Sequence, residues 1–353
     1  MIRKYFFVLF LAFQIVFLKV IAFFPEIIEQ IYSSGLYLYI SKIARIVFGK
    51  IPFSVGDIVY VFFIFYLLIQ LWKTRKSWRL QWKKNVLNVV NVVSVAYFLF
   101  HFLWALNYYR VPLHKKMNVN NEYTNTQLID FTEKLIAKTN EIQVKLTHNK
   151  LKKVVPTYTI SHIDSITQQG YDKLAKKYPN LSYTISSRKQ SLLSVPLTYM
   201  GFSGYFNPFT GEAQVNNKLP LYTYPNVLCH EMAHQLGYGS EAECNFIGFL
   251  AGIDTDDLYC QYSALSNALN YCMNTIAEDD VKTFQQLKSK INQGVLQNYK
   301  ETKLFWQQYD SFIDKGFHAF YDQYLKVNQQ KDGIKSYSKY VGLLINYYTI
   351  YQL

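Results

Sequence analysis

The segment CHEMAHQLGYGSEAECN, residues 229–245, holds two histidines, three glutamates and two glycines in one short run. Its first part is typical of a helix, because Pro225 suits a first helical turn and Gly237 suits a C-terminal stop. On a helix, positions i and i+4 lie one above the other, so His230 and His234 would present their imidazoles on one face. The alternative is a surface helix with two solvated histidines, and the neighbouring residues decide between the two interpretations.

Two histidines at this spacing, with a glutamate directly after the first, form the HExxH pattern of zinc hydrolases. His230 and His234 would hold one zinc ion, while Glu231 would reach a metal-bound water without being a ligand. A catalytic zinc takes three protein ligands and keeps a fourth position for water. Since no other histidine follows closely in the sequence, we expect the third ligand to be a carboxylate.

Glu241 and Glu243 are the candidates for this third ligand. Ser240 followed three residues later by Glu243 forms a capping box, which gives Glu243 a structural role at the start of a second helix. Glu241 and Asn245 are i, i+4 partners on another face of that helix. We therefore predict that Glu241 binds the metal and that Asn245 orients a ligand by a hydrogen bond. Glu243 stays the alternative ligand.

Long apolar runs lie in the first part of the chain, which has 353 residues, half of them hydrophobic. Each is close to the roughly 20 residues that cross a bilayer. The runs are residues 5–24, 57–72 and 86–106. We therefore predict three transmembrane helices in a membrane region, residues 1–109. A cleaved signal peptide is the alternative for the first run, but its apolar part is too long and no small-residue cleavage site follows it.

Positive charge predicts the orientation of these helices. Arg3 and Lys4 precede the first helix, and residues 73–84 between the second and third carry six Lys or Arg and no acid. Cytoplasmic loops are rich in Lys and Arg, so residues from about 110 onward are expected on the outer face of the cytoplasmic membrane. The net charge of +13 is then partly a topology signal, and without a nucleic-acid motif we expect no nucleic-acid partner. A disulfide is permitted outside the cytoplasm, and the pairing of the cysteines stays open: Cys229, Cys244, Cys260 and Cys272.

Residues 110–353 are predicted to form one domain, because no Pro-rich or Gly/Ser-rich linker interrupts them. A helix is expected at 124–146, where apolar residues recur at helical spacing after a Thr cap. Short strands, with a helix near 172–178 among them, are expected at 154–160, 183–186, 191–206 and 212–216. Further helices are expected at 256–274, 279–291, 295–328 and 337–351. This order predicts an α+β fold in which a small sheet precedes a helical half.

Two further features bear on a substrate. The strand at 212–216 is expected beside the metal site, where an edge strand can pair with an extended peptide. Glu212 in this strand is expected to be structural rather than catalytic. Tyr321, Tyr324 and Tyr337 are possible donors to a transition state, but 31 tyrosines in the chain leave the choice open.

Residues 241–245 resemble the second motif of the gluzincin metallopeptidases, a glutamate followed four residues later by an acid or amide. More closely, the chain resembles an uncharacterised family of bacterial membrane proteins known as domain of unknown function 3810. The matching segments are NPFTGEAQVN (207–216), HEMAHQLG (230–237), EAECNF (241–246) and YLKVNQQKDGIKSY (324–337). Cys244 departs from the pattern, because such helices usually carry alanine there. The resemblance implies a zincin-like zinc peptidase, multi-pass in the bacterial inner membrane.

Two functions follow as expectations. The first is a membrane-anchored zinc-dependent peptidase that hydrolyses a peptide bond of a protein or peptide, with Glu231 as general base. The second is a membrane-tethered, non-catalytic protein that zinc stabilises for binding or assembly. An intramembrane protease is disfavoured, because the motif starts at residue 230, far along the chain from the last apolar run, which ends at 106.

Overall fold

The computed structural model describes residues 2–330 and 337–351. Its N-terminal part is helical: α1 (Ile2–Ile21), α2 (Pro25–Ile27), a π-helical segment (Ile28–Leu36), α3 (Tyr37–Gly49), α4 (Val55–Thr74) and α5 (Trp82–Leu103). Within the described residues, α4 and α5 are each long and apolar enough to cross a membrane. A third span exists only if Tyr5–Ile21 and Pro25–Gly49, which meet at 102°, are counted as one broken helix. The prediction of three transmembrane helices is therefore supported for α4 and α5, and for a third span only if this bent pair is counted as one.

The remaining chain is mostly helical and includes a small sheet, so the predicted α+β class is confirmed. Its helices are α6 (Leu113–Lys116), α7 (Asn125–Thr147), α8 (Ile160–Lys177), α9 (Ser194–Tyr199), α10 (Tyr224–Gln235), α11 (Glu241–Ile253), α12 (Leu258–Asp279), α13 (Val281–Ser289), α14 (Gln293–Gln307), α15 (Phe312–Val327) and α16 (Tyr337–Ile350). Short 3₁₀ turns lie at Ala105–Tyr109, Pro179–Leu181 and Leu221–Thr223. The strands are β1 (Arg188–Gln190), β2 (Gly204–Asn207) and β3 (Glu212–Val215).

The sheet has the order β1-β3-β2, with β1 parallel and β2 antiparallel to β3. The strand predicted at 212–216 is therefore central and has no free edge, whereas β2 is an edge strand. Glu212 is structural, since its carboxylate accepts hydrogen bonds from the backbone nitrogens of Val55 (3.1 Å) and Gly56 (2.6 Å). These nitrogens lie at the start of α4, where helix N–H groups lack intrahelical partners, so Glu212 joins the sheet to a membrane helix.

Several predicted elements are wrong. The structure has no strand at 154–160 or 183–186, and most of 191–206 is the helix α9 with a turn. Thr159 instead caps α8 by accepting from the backbone nitrogen of His162, so the end of the first segment starts a helix. The single helix predicted over 295–328 is two helices, because the side chain of Ser311 caps a new helix, α15. At Thr159 and Ser311 a capping side chain thus starts a helix that the apolar pattern alone does not show.

The core of the domain forms around α10, α11 and α12, with α7 and α16 packed outside them. Helix α11 is buried along most of its length, with Phe246 and Phe249 fully inside. Its Gly248 allows it to lie directly on α10, because a Cβ at that position would stand 2.9 Å from the backbone nitrogen of His230. The four cysteines are buried and free, so the permitted disulfide is absent.

The C-terminal end of α10 is held by groups from the N-terminal helical part and by Arg110, which directly follows it. Tyr37 and Ser41 on α3 both donate to the carbonyl oxygen of Gln235, at 3.0 and 2.9 Å. Arg110 donates to the carbonyl oxygen of Gly237 at 2.7 Å. These bonds satisfy carbonyls that a helix end leaves free. The histidine-bearing helix is therefore fixed directly to the membrane region.

Candidate metal centre

Three side chains meet where α10 turns into α11. His230 and His234 come from α10, Glu241 is the first residue of α11, and their ligand atoms all lie within 4.8 Å of one another. Nε2 of His230 is 3.2 Å from the Glu241 carboxylate, and Nε2 of His234 is 3.6 Å from it. Gly237, with φ of +84°, adopts the left-handed conformation that reverses the chain between the helices. The structure thus brings together the three residues that the sequence predicts as ligands.

Hydrogen bonds on the far side of each imidazole orient the pair. Nδ1 of His230 is 2.9 Å from the side-chain oxygen of Asn245, and Nδ1 of His234 is 2.8 Å from the carbonyl oxygen of Tyr238. Both partners are acceptors, so each Nδ1 carries a proton and each Nε2 is turned toward the cluster. The two Nε2 atoms face each other at 3.1 Å, and one proton lies between them. This arrangement, with Nδ1 hydrogen-bonded to an acceptor and Nε2 turned inward, is the usual one for histidine metal ligands.

The charges of the cluster favour a cation. Burial raises the pKa of Glu241, but the two histidines outweigh it and bring the value to about 2, so this carboxylate is ionised. Burial lowers the pKa of His230, yet its hydrogen bond to Glu241 and the charge of that residue raise it to about 9. Burial brings the pKa of His234 down to about 4, so this imidazole is neutral. The cluster therefore holds a proton at the point where a metal ion would bind, and metal binding would displace it.

Glu231 lies next to the cluster with a carboxylate oxygen that has no partner. Its side chain is buried, and within the described parts of the chain no group hydrogen-bonds to Oε2. Burial raises the pKa of Glu231 to about 8. The carboxylate points toward β2, because a Cβ at Gly204 would lie 2.7 Å from Glu231 Oε1. Buried polar groups normally have hydrogen-bond partners, so a buried acid without one calls for an explanation. A metal ion or a reacting water beside Glu231 would provide that partner.

Glu243 lies outside the cluster and has another role. Its Oε1 accepts a hydrogen bond of 2.6 Å from the backbone nitrogen of Leu113, at the start of α6. The predicted capping box is wrong, since Ser240 precedes α11 but its side chain makes no capping hydrogen bond. The segment that ends at Leu113 continues from α5 and passes this face of α11. Its backbone nitrogen needs an acceptor there, and Glu243 supplies it instead of turning to the cluster.

Tyr321 makes a further contact to the cluster, which the sequence alone does not single out among the candidate tyrosines. The hydroxyl of Tyr321 on α15 donates to Glu241 Oε1 at 2.8 Å. Tyr324, the second tyrosine considered, instead pairs its hydroxyl with that of Tyr108 at 3.3 Å. The side chain of Tyr337 is outside the described residues. In the sequence Tyr321 and Tyr324 lie on one predicted helix, and this position does not show which of the two reaches the cluster.

Comparison with known proteins identifies a family. No curated protein and no solved structure matches the chain. One family model, described as "Protein of unknown function (DUF3810)", matches residues 32–345 and thus most of the chain, including all residues of the cluster. The chain therefore belongs to the DUF3810 family of proteins of unknown function.

Proposed function

We propose that this protein is a membrane-anchored, zinc-dependent peptidase. The observation that carries the proposal is the cluster of His230, His234 and Glu241 with the buried, partnerless carboxylate of Glu231 beside it. A structural metal site needs only ligands, whereas a hydrolytic site also needs a base. Glu231 has no structural partner at Oε2 among the described residues, so a catalytic role accounts for it.

The donor set fits zinc. Two imidazole nitrogens and one carboxylate oxygen are the ligands of catalytic zinc sites that keep an open position for water. The hydrogen bonds from His230 to Asn245 and from His234 to Tyr238 fix the ring orientations that such a site requires. Thiolate ligands would favour a closed structural site. The thiol of Cys244, however, donates to the carbonyl oxygen of Tyr238 and lies next to Nδ1 of His234, the ring nitrogen that does not face the cluster.

The residues around the cluster can carry out peptide hydrolysis. Bound zinc would polarise the scissile carbonyl and lower the pKa of the attacking water. Glu231 accepts the proton of this water at its carboxylate and later delivers it to the leaving amine nitrogen. The Tyr321 hydroxyl, which donates its one proton to Glu241 in the structure, would turn this proton from Glu241 to the oxyanion that develops on the carbonyl. Burial raises the pKa of Tyr321 well above its usual value, so the hydroxyl keeps its proton for this role.

The proposal includes a location. The apolar helices α4 and α5 support a location in a membrane, and by the positive-inside rule the basic segment between them, residues 73–84, would face the cytoplasm. The helical domain, which in this proposal is zincin-like, then lies on the outer face of the bacterial inner membrane. Its partners are protein or peptide substrates and the bilayer, with no nucleic acid.

Metal content and hydrolysis together test the proposal. The full chain would be purified in detergent without chelators, and its metal measured by elemental analysis. We expect about one zinc per chain in the wild type and in Glu231→Gln and Glu243→Gln, and almost none in His230→Ala or Glu241→Ala. A randomised fluorogenic peptide library should be cleaved by the wild type and by Glu243→Gln, but not by Glu231→Gln.

The same experiment separates the alternative of a non-catalytic protein that zinc stabilises. In that case Glu231→Gln would bind zinc and behave like the wild type in every assay, and the library would stay intact. Zinc that is bound with four protein ligands and no water, seen by X-ray absorption, would also contradict the peptidase proposal.

A further inference from the structure

The metal centre lies at the end of a membrane-crossing helix. Trp104 directly follows α5, and its indole nitrogen donates to the carbonyl oxygen of His234 at 3.1 Å. The indole also meets the imidazole of His234 edge to face, with ring centroids 5.9 Å apart. Trp104 is itself buried, so its depth is set by α5, which ends at Leu103 and is long and apolar enough to cross a bilayer up to that point. The contact with Trp104 therefore places His234 close to the membrane–water boundary at the end of this helix, although it follows Trp104 by 130 residues.

The edge strand beside Glu231 lies between the ends of α4 and α5. Phe206 of β2 packs on Trp104 at 5.1 Å, and Tyr205 stacks on Tyr60 of α4 at 6.0 Å. Successive strand residues point to opposite sides, so these two contacts place one membrane helix on each side of β2. Gly204, the preceding residue, faces the Glu231 carboxylate.

Beyond Tyr60, the middle of α4 has little contact with the described parts of the protein. Seven consecutive side chains, Phe62 to Leu68, are all exposed, with Phe62 at 68% and Leu68 at 58%. Seven residues cover nearly two turns and so every face of the helix. By contrast, α5 packs on α1, for example through Phe10 and Phe98 at 5.6 Å. The space between α4 and α5 is therefore open to lipid, and β2 lies at its outer end.

We infer that the substrate is the membrane-proximal segment of a membrane-anchored polypeptide, which enters sideways between α4 and α5. This inference rests on the proposed peptidase function and adds the class of substrate. The anchor would occupy the space beside α4, and the chain emerging from the bilayer would pass along β2, whose free edge can pair with an extended peptide. Its peptide bonds would then reach Glu231 at the boundary itself, within a few residues of the anchor.

Substrates with different spacers test this inference. A pool of randomised eight-residue cassettes would be attached to a hydrophobic helix of about 20 residues and placed in liposomes with the protein. In one set the cassette starts about four residues from the anchor, and in the other about thirty, at up to about 3.5 Å per residue. The same cassettes without an anchor form a third set, and Glu231→Gln provides the background. Cleavage positions would be mapped by mass spectrometry.

We expect the four-residue set to be cleaved at least as fast as the thirty-residue set and at least tenfold faster than the free cassettes. In the four-residue set the first half of the cassette lies within about eight residues, or about 28 Å, of the anchor, so we expect the cuts to map there, where an active centre raised about 30 Å above the bilayer could not reach. Cleavage of the thirty-residue set or the free cassettes alone would therefore overturn the inference while leaving the peptidase function intact. No cleavage of any set would reject the peptidase function itself.

Discussion

Nδ1 of His230 lies 2.9 Å from the side-chain oxygen of Asn245, and this contact joins α10 to α11 behind the metal centre. The bond keeps a proton on Nδ1, so Nε2 is the atom left to bind a metal. We predict that Asn245→Leu lowers zinc affinity by about 10- to 100-fold, because the imidazole loses the partner that orients it. Competition with a chromophoric chelator would measure the affinity. Asn245→Asp keeps an acceptor at the same place and should bind zinc nearly as the wild type does; equal loss in both variants would contradict an orienting role.

Glu243 should matter for stability and not for metal. Replacing it with Ala leaves the backbone nitrogen of Leu113 without its acceptor in a buried place, which costs about 1–3 kcal/mol. Glu243→Gln keeps an acceptor oxygen and should lose much less. Thermal unfolding in detergent, with zinc content measured on the same samples, would check both statements. A variant that stays stable but loses its zinc would show that Glu243 is the third ligand after all.

Glu231 should destabilise the metal-free protein at high pH. Its pKa is about 8 in the folded protein and near 4.5 when exposed, so folding is favoured below pH 4.5 and this contribution is lost as the pH rises to about 8. The full loss is on the order of 4 kcal/mol. Glu231→Gln has no such charge, so metal-free Glu231→Gln should unfold at a higher temperature than the wild type at pH 8 and at a similar one at pH 4.5.

Glu241 provides a control of opposite sign. Its pKa is lowered to about 2, so its charge stabilises the folded protein above pH 4.5, and this stability is lost as the pH falls toward 2. Glu241→Gln should therefore lower the unfolding temperature of the metal-free protein at pH 8. If both variants shift in the same direction at pH 8, the charge balance described for the cluster is wrong.

The local part of the site was predictable because helical spacing is a local property. The i, i+4 relation puts His230 above His234 on one helix face. The same relation pairs Glu241 with Asn245 and so favours Glu241 over Glu243 as the third ligand. Gly237 predicted the turn between the two helices. None of these inferences needs to know what packs against the segment, and the structure brings the predicted ligands together.

The rest depends on contacts between distant parts of the chain. Nothing near Glu243 in the sequence shows that the backbone nitrogen of Leu113 will need its carboxylate. Nothing near His234 shows that Trp104, which precedes it by 130 residues, will pack on it. The strand at 212–216 was expected at the edge, but a strand of four residues cannot show by itself which neighbours will pair with it.

Arg110 should be among the most sensitive positions in the link between membrane region and domain. It is 9% exposed, binds the Glu29 carboxylate at 2.8 Å and donates to the carbonyl oxygen of Gly237. Arg110→Met leaves a largely buried carboxylate with one ion-pair partner among the described residues, Lys116, and a hydrogen bond from Ser34, and we expect a loss of about 3–5 kcal/mol. The exposed pair of Lys290 and Glu133 is the control.

Lys290→Met should cost no more than about 1 kcal/mol, because solvent screens that pair. Unfolding of both variants by denaturant in the same detergent would give the comparison. Similar small losses for the two would show that the Arg110 contacts contribute little to the attachment of α10.

The variant Tyr321→Phe should separate an effect on catalysis from an effect on metal binding. The hydroxyl of Tyr321 is 2.8 Å from Glu241 Oε1, and its ring packs edge to face on Phe202 at 5.1 Å, so Tyr321→Phe removes one oxygen and keeps the ring contact. If the hydroxyl donates to the oxyanion, kcat should fall by about 10²- to 10³-fold with KM nearly unchanged and zinc retained. Tyr324→Phe is the matched control, because that hydroxyl pairs with Tyr108 and should change kcat little. Loss of zinc in Tyr321→Phe would instead mean that the hydroxyl only positions Glu241, and the oxyanion donor would have to be sought elsewhere.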